Sequence, residues 1–299
     1  MTLGKAILAL VIVLVAACAG SAPAASTSSI QVVAAQNFWG SIATQLGGSK
    51  ASVQSAATDP NADPHEYETN TNDARAIADA GFVILNGAGY DNWANKLLAA
   101  NPSDHRTVLV AADLLGKKAG DNPHFWYDPD YVIRMADQIT SDYKSIDPAE
   151  SAYFDQERAA FTFALEPYMK RLGEIKASFR GVPVGSTESI FVYMAGYLGL
   201  NLISPPEFMN AVSEGNDPPA AAVISFQNQI TNKQVKVLVY NVQTATAVTT
   251  NIKHLAAVAN IPIVGVSETL VPESATFQDW QLAQLLALQN AFAASALST

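Results

Sequence analysis

The sequence predicts an α/β protein with two parallel-sheet βα lobes and a long connecting helix between them. Short apolar runs alternate with amphipathic helical segments in the first half, and the same alternation starts again in the second half. A long helical stretch separates the two series. The 299 residues suffice for a first lobe at 30–146, a connecting helix at 147–180 and a second lobe at 181–299.

Apolar segments bounded by Gly, Asn and Pro are typical of buried strands in the first half. The predicted strands cover residues 30–35, 51–57, 82–86 and 108–111. The predicted helices between and after them begin near Asn37, Asn70, Asn92 and Pro129. Strands and helices that alternate at this spacing favour parallel βα units.

The connecting helix begins with favourable chemistry, because Asp147 suits the N-cap and Pro148 the first helical position. The helical pattern continues to about residue 179. Pro167 and Gly173 fall inside it, and a proline cannot donate the usual backbone hydrogen bond. We therefore expect a kink or a break near Glu166.

The second half repeats the alternation of the first. Its predicted strands cover residues 182–186, 235–241 and 261–266. Its predicted helices cover residues 190–198, 219–231, 245–259 and 278–297. Polar side chains at the carboxyl ends of these strands are expected to face a cleft, where ligands of parallel α/β sheets bind.

The first residues are typical of a targeting segment. Residues 6–17 form an unbroken apolar run that is too short to span a membrane, which takes about 20 residues. Cys18 follows three small or apolar residues, an arrangement that resembles a bacterial lipobox. We expect a lipoprotein signal peptide at 1–17, a lipid anchor on Cys18 and a flexible tether at 18–29. An ordinary signal peptide cut near Ala25 is the alternative.

This segment predicts an extracytoplasmic protein of the bacterial cell envelope, in contact with the membrane through its lipid anchor only. A formal net charge of -10 argues against nucleic acid as a partner, because phosphate needs a basic surface. The single Cys excludes a disulfide framework and thiolate metal clusters.

The chain has 4 His, and two of them share a local context. His65 and His124 each follow a proline in a polar loop, after a predicted strand and before a predicted helix. A neutral imidazole at that edge of a sheet is a good ligand for Zn, Mn or Fe. His105 and His254 lack this context, and we interpret them as surface or structural histidines.

A divalent cation needs further donors, and carboxylates would balance its charge. Glu188 and Glu268 each follow a predicted strand of the second lobe, as the two histidines do in the first lobe. Glu188 is equally placed to cap a helix N-terminus. Glu66 and Glu68 lie next to His65 and are rival donors.

At these residues the chain resembles the TroA-like metal-binding lipoproteins of zinc/manganese ABC importers. The resemblance covers essentially the whole chain after the lipobox. It is carried, in order, by residues 35–40, 64–68, 86–87 with 90–93, 122–126, the connecting segment from Asp147, 187–188 with 197–200, and 261–270.

The resemblance implies a receptor that is not an enzyme. It would capture one divalent ion between two lobes and deliver it to the permease of an ABC importer. The implied metal ligands are His65, His124, Glu188 and Glu268, and the family usually has Asp at the last position. The resemblance also implies a monomer whose connecting helix permits only modest movement of the lobes.

A set of two histidines and two carboxylates argues against Cu(I), which prefers sulfur ligands. The candidate ions are Zn²⁺ and Mn²⁺, with Fe²⁺ as a third.

A metallohydrolase is disfavoured, because Thr69 stands where a His-Glu-x-x-His motif would have its second histidine. A surface adhesin, and a receptor for a metal chelate or organic solute, remain alternatives. The last would place Trp39 or Trp126 in the cleft rather than in the core.

Overall fold

The structure is a computed structural model that describes residues 29–297. The predicted signal peptide, Cys18 and the tether up to residue 28 lie outside the described residues. Within 29–297, no helix combines the length and the apolar character needed to cross a membrane.

Two four-stranded parallel sheets organise the described chain. The first sheet has the order β2-β1-β3-β4, with β1 (Ile30–Gln36), β2 (Ala51–Ala57), β3 (Phe82–Leu85) and β4 (Thr107–Val110). The second sheet has the order β6-β5-β7-β8, with β5 (Pro183–Ser186), β6 (Asn201–Leu202), β7 (Val237–Asn241) and β8 (Ile263–Val266). The predicted α/β class with two parallel sheets is confirmed.

Both sheets reverse their strand order at the same place. The chain runs outward from β1 to β2 and then returns to β3 on the other side, and β5, β6 and β7 repeat this path. Such a reversal leaves a crevice at the carboxyl ends of the central strands, where loops diverge to opposite sides. Glu188 follows the central strand β5, whereas His65, His124 and Glu268 lie in segments that follow β2, β4 and β8 at the sheet edges.

Helices cover the faces of both sheets. The first half contains α1 (Asn37–Gly47), α2 (Thr71–Asp79), α3 (Asn92–Ala100), α4 (Ala111–Leu115) and α5 (Pro129–Ile146). The second half contains α7 (Val192–Leu198), α8 (Pro206–Ser213), α9 (Ala220–Thr231), α10 (Ala247–Val258) and α11 (Phe277–Leu297). Helices α4 and α8 and the short strand β6 are not predicted from the sequence.

The connecting helix α6 spans Ser151–Phe179, after a short 3-10 turn at Pro148–Glu150. Its 29 residues correspond to about 43 Å of helix. Of the kink or break expected near Glu166, the break is wrong, because the helix continues through Pro167. Leu165 and Tyr168 are buried on either side of this proline, and their packing offsets the lost backbone hydrogen bond.

One continuous hydrophobic core joins the two sheets. It includes Val32 and Ile84 of the first sheet and Val239 and Val264 of the second. Helix α11 extends this contact, because Gln278 at its start exchanges hydrogen bonds with Gln45 of α1. A shared, close-packed core resists a wide separation of the two halves.

Candidate metal centre

Four predicted site residues meet between the two sheets. His65 Nε2 lies 3.4 Å from Glu268 Oε2, and His124 Nε2 lies 3.7 Å from the same oxygen. His124 Nε2 is also 3.7 Å from Glu188 Oε1. Two loops of the first half and two of the second therefore converge on one small volume.

Ligand-type atoms of His65, His124 and Glu268 all lie within 4.8 Å of one another. Glu188 contacts this group on the side of His124. Glu66 and Glu68, the rival donors, are exposed and line a different pocket on the outside of the His65 loop. His105 and His254 are exposed, as expected for surface histidines.

His65 is held at the rim of the cluster. It lies in a short 3-10 turn, Pro64–Glu66, that Asp63 caps by accepting a 2.9 Å hydrogen bond from the His65 backbone N–H. Its side chain is 24% exposed, whereas the side chains of His124, Glu188 and Glu268 are fully buried. The cluster therefore reaches solvent through His65.

The pocket outside His65 has a volume of about 480 Å³. Its walls come from both halves, with Gly89 and Asp121 on one side and Asn210 and Glu214 on the other. The last two lie at the carboxyl end of α8, so this unpredicted helix shapes the approach to the site.

His124 follows Pro123 and is packed against aromatic rings. Its imidazole lies edge-on to Trp126, with the ring centroids 5.2 Å apart. Trp126 in turn stacks on Phe38 at 3.9 Å, and both Trp126 and Trp39 are fully buried. The tryptophans thus belong to the core beneath the site and do not line a solute cleft.

Glu188 directly caps the turn that precedes α7. Its Oε1 atom accepts a 3.1 Å hydrogen bond from the Ile190 backbone N–H. Its Oε2 atom, like His124 Nε2, is buried without a hydrogen-bond partner among the described residues. Burial, followed by repulsion from Glu268, raises the pKa of Glu188 well above its ordinary value. The predicted helix cap is present, and the same carboxylate also faces His124.

Both carboxylate oxygens of Glu268 are hydrogen-bonded. Oε2 accepts from the Tyr90 hydroxyl at 2.5 Å, and Oε1 accepts from Asn241 Nδ2 at 2.6 Å. Burial tends to raise the pKa of Glu268, but His124, His65 and the Tyr90 hydroxyl together lower it to about 2. Glu268 is therefore an anion at any physiological pH.

His124 has the opposite protonation preference. Burial lowers its pKa, and the attraction of Glu268 offsets this effect only in part. A neutral imidazole has a lone pair available for a cation. Two imidazole nitrogens and two carboxylates, with unpartnered buried atoms among them, form a donor set suited to a divalent ion.

Some supporting residues were not identified from the sequence. Asp91 is fully buried and accepts hydrogen bonds from the backbone N–H groups of Asn86 and Gly87. The Asn86 amide then donates to the Pro123 carbonyl and accepts from Trp39. This network fixes the loop that precedes His124, and its contacts to Trp39 and Pro123 join positions too distant in sequence for spacing to reveal them.

The fold and the cluster together define an α/β binding protein with a small, buried site for a cation between two sheets. Residues 32–291 match the family described as "ZnuA: Zinc-uptake complex component A periplasmic". The chain belongs to this family, and the resemblance to metal-binding lipoproteins of zinc/manganese importers is confirmed.

Individual relatives agree with this assignment. The chain is similar to a manganese ABC transporter substrate-binding lipoprotein of Streptococcus mitis, with 26% identity over 208 residues. That match covers 64% of this chain and 66% of the relative, slightly less than two thirds of its length.

Solved structures share the fold. A crystal structure of ZnuA superimposes with a TM-score of 0.70 at 21% identity, covering 88% of this chain and 98% of the other. A manganese-bound mutant of a periplasmic metal-binding protein from Candidatus Liberibacter asiaticus gives a TM-score of 0.73 at 14% identity, with coverage of 87% and 98%. The two-sheet architecture is therefore that of known periplasmic metal-binding proteins.

Proposed function

We propose that this protein is an extracytoplasmic receptor that captures one divalent metal ion, Zn²⁺ or Mn²⁺, and delivers it to an ABC importer. The observation that carries the proposal is the buried cluster of His65, His124, Glu188 and Glu268, whose facing atoms are 3.4–3.7 Å apart. Membership of the zinc-uptake family supports the same function.

The distances between the side chains of the cluster fit ligands around a metal ion better than they fit direct hydrogen bonds. Ligands at 2.0–2.2 Å from a tetrahedral ion are about 3.3–3.6 Å from one another. His65 Nε2, His124 Nε2 and Glu268 Oε2 approach that spacing. A divalent ion would also neutralise the two carboxylates, whose burial without a counter-charge is costly.

The enclosure of the site favours transport over catalysis. Three of the four proposed ligands are fully buried, and a hydrolytic metal site keeps an open position for water and substrate. A receptor instead needs all positions supplied by the protein. We therefore propose a binding protein and not a metalloenzyme.

The number of donor atoms that the site offers would determine which ion it prefers. Four nitrogen and oxygen donors suit Zn²⁺, whereas the unpartnered Glu188 Oε2 offers a further oxygen that Mn²⁺ would use. The S. mitis relative is named for manganese, and the family description for zinc.

The test is competitive metal binding by the purified protein after treatment with a chelator. Zn²⁺, Mn²⁺ and Fe²⁺ are offered together, and the bound metal is counted by mass spectrometry. We expect one equivalent of a single preferred ion, reduced in Glu188→Ala and Glu268→Ala. The absence of any bound metal would contradict the proposal and favour a chelate or organic ligand.

We further propose that Cys18 carries a lipid that anchors the monomeric protein to the cell membrane, near its permease. The lipobox-like segment supports this, and the S. mitis relative is described as a lipoprotein. A Cys18→Ser variant is expected to leave the membrane fraction on cell fractionation. Retention of that variant in the membrane would contradict the anchor.

A further inference from the structure

We propose that Asn122 is a positioning residue that joins the two halves of the site through its side-chain amide. It would hold His124 in the tautomer that presents Nε2 to the metal, and tie that histidine to the backbone beside Glu188. This inference rests on the proposed metal-binding function and adds a residue that acts through the ligands.

The orientation of the Asn122 amide follows from its partners. Its Oδ1 atom lies 3.1 Å from the backbone nitrogen of His124, which can only donate a hydrogen bond. The atom facing that nitrogen must therefore be the amide oxygen.

The same oxygen determines the proton position on the His124 ring. Asn122 Oδ1 lies 2.7 Å from His124 Nδ1. An amide oxygen can only accept, so Nδ1 must carry the proton and Nε2 must hold the lone pair. Nε2 is the atom that faces Glu188 Oε1 and Glu268 Oε2 at 3.7 Å.

The amide nitrogen of Asn122 forms a hydrogen bond with the second half of the molecule. Asn122 Nδ2 donates a 2.8 Å hydrogen bond to the carbonyl of Ser189, the residue after Glu188. Tyr193 adds a second link, since its hydroxyl donates to the Asn122 carbonyl at 2.9 Å. One asparagine thus connects a histidine of the first half to the carboxylate-bearing turn of the second.

This arrangement has a consequence for metal release. If the halves separate slightly, Asn122 loses its Ser189 acceptor, and the constraint on its amide is weakened. His124 would then lose a fixed acceptor for Nδ1–H, and a neutral histidine without one can carry its proton on either nitrogen. Separation of the halves would therefore weaken the His124 ligand as well as move it.

The experiment compares Asn122→Ala with Asn122→Asp, and uses Asn210→Ala as a control at an exposed asparagine of the same pocket. Asp keeps the oxygen that accepts from Nδ1–H and loses the donor to Ser189. The tautomer of His124 is read by nitrogen-15 NMR of histidine-labelled, metal-free protein at about pH 8, where imidazoles are neutral.

We expect the Nδ1–H form of His124 in the wild type, Asn122→Asp and Asn210→Ala, and a mixture of tautomers in Asn122→Ala. Zn²⁺ or Mn²⁺ affinity should fall by about 10–100-fold in Asn122→Ala, the range for removal of an outer partner of a metal-bound histidine. Asn210→Ala should bind as the wild type does.

Two results would overturn the inference. One is a pure Nδ1–H tautomer with unchanged metal affinity in folded Asn122→Ala. The other is the Nε2–H tautomer in the wild type or in Asn122→Asp, which also decides the matter if the alanine variant does not fold. Because the tautomer is measured without metal, a failure of the proposed metal binding is distinguishable from a failure of this inference.

Discussion

The Tyr90 hydroxyl donates a 2.5 Å hydrogen bond to Glu268 Oε2, although the two residues are 178 positions apart in the chain. Asn241 donates to the other carboxylate oxygen at 2.6 Å. Glu268 is therefore fixed at both oxygens, whereas Glu188 keeps one buried oxygen without a partner among residues 29–297. The two carboxylates therefore differ in how firmly their oxygen atoms are held by hydrogen bonds.

We expect Tyr90→Phe to weaken metal binding by about tenfold or more, because a hydrogen bond to a charged group contributes roughly 1.5–3 kcal/mol. The measurement is competition against a fluorescent chelator. Tyr153→Phe, which removes a hydroxyl bonded to the exposed backbone of Ser49, should leave the affinity unchanged. Equal affinities for Tyr90→Phe and the wild type would show that this bond does not support the site.

Glu188→Gln tests the third proposed ligand with little change of shape. The variant removes a negative charge that would offset the metal, so we expect a loss of affinity greater than the roughly 10–100-fold typical of an outer partner. Calorimetric titration with Zn²⁺ and Mn²⁺ measures it. His105→Ala changes an exposed histidine outside the cluster and should have almost no effect. Unchanged binding in Glu188→Gln would remove this residue from the ligand set.

Much of the fold is predictable from the sequence, because parallel strands read as short apolar runs between turn residues. Both boundaries of each predicted strand lie within two residues of the boundaries of the corresponding strand, for β1–β5, β7 and β8. The helix α8 escapes prediction, since it begins at Pro206 directly after another proline, a pattern that more often indicates a loop. The helix is unbroken at Pro167 because tertiary packing overrides local preference there.

The four candidate ligands are predictable because each lies in a loop at the carboxyl edge of a parallel sheet. Their partners are not, since Tyr90, Asn241 and Gln243 show no distinctive spacing from Glu268 in sequence. Only the folded chain brings them together. That these contacts exist could not be inferred from residue types.

Metal binding should release protons, because the pKa of Glu188 is raised in the metal-free protein. Burial and the charge of Glu268 raise the pKa of Glu188 in the metal-free protein, so its protonated form persists to higher pH than usual. A metal ion must displace that proton, so affinity is expected to rise with pH and to fall toward about pH 5, where histidine protonation also competes.

Calorimetry in buffers of different ionisation enthalpy measures the number of protons released. We expect release by the wild type near neutral pH and a smaller value for Glu188→Gln, which has no proton to lose at this position. Glu268 should contribute little, because its pKa is lowered to about 2. Equal proton release by the wild type and Glu188→Gln would contradict the assigned source of the proton.

Gln243 forms a second link between the halves, on the side of His65. Its Nε2 atom donates to the Ala62 carbonyl at 2.7 Å, and its Oε1 atom accepts from the Glu268 backbone N–H at 2.6 Å. The loop that carries His65, the most exposed proposed ligand, is thus held to the backbone beside Glu268. Loss of the bond between Gln243 and Ala62 should increase the mobility of the His65 loop more than that of the buried ligands.

Gln243→Glu keeps the acceptor for the Glu268 N–H and replaces the donor to the Ala62 carbonyl and Thr269 Oγ1 by an oxygen. We expect metal to dissociate about tenfold faster from this variant, since one buried hydrogen bond contributes about 1 kcal/mol and two facing oxygens repel. Stopped-flow mixing of the metal-loaded protein with excess chelator measures the rate. Gln229→Glu is the matched control, because Gln229 Nε2 donates to the Ile203 carbonyl within the second half alone. That control should lower thermal stability without changing release; if both variants release metal at the wild-type rate, the His65 loop does not control dissociation.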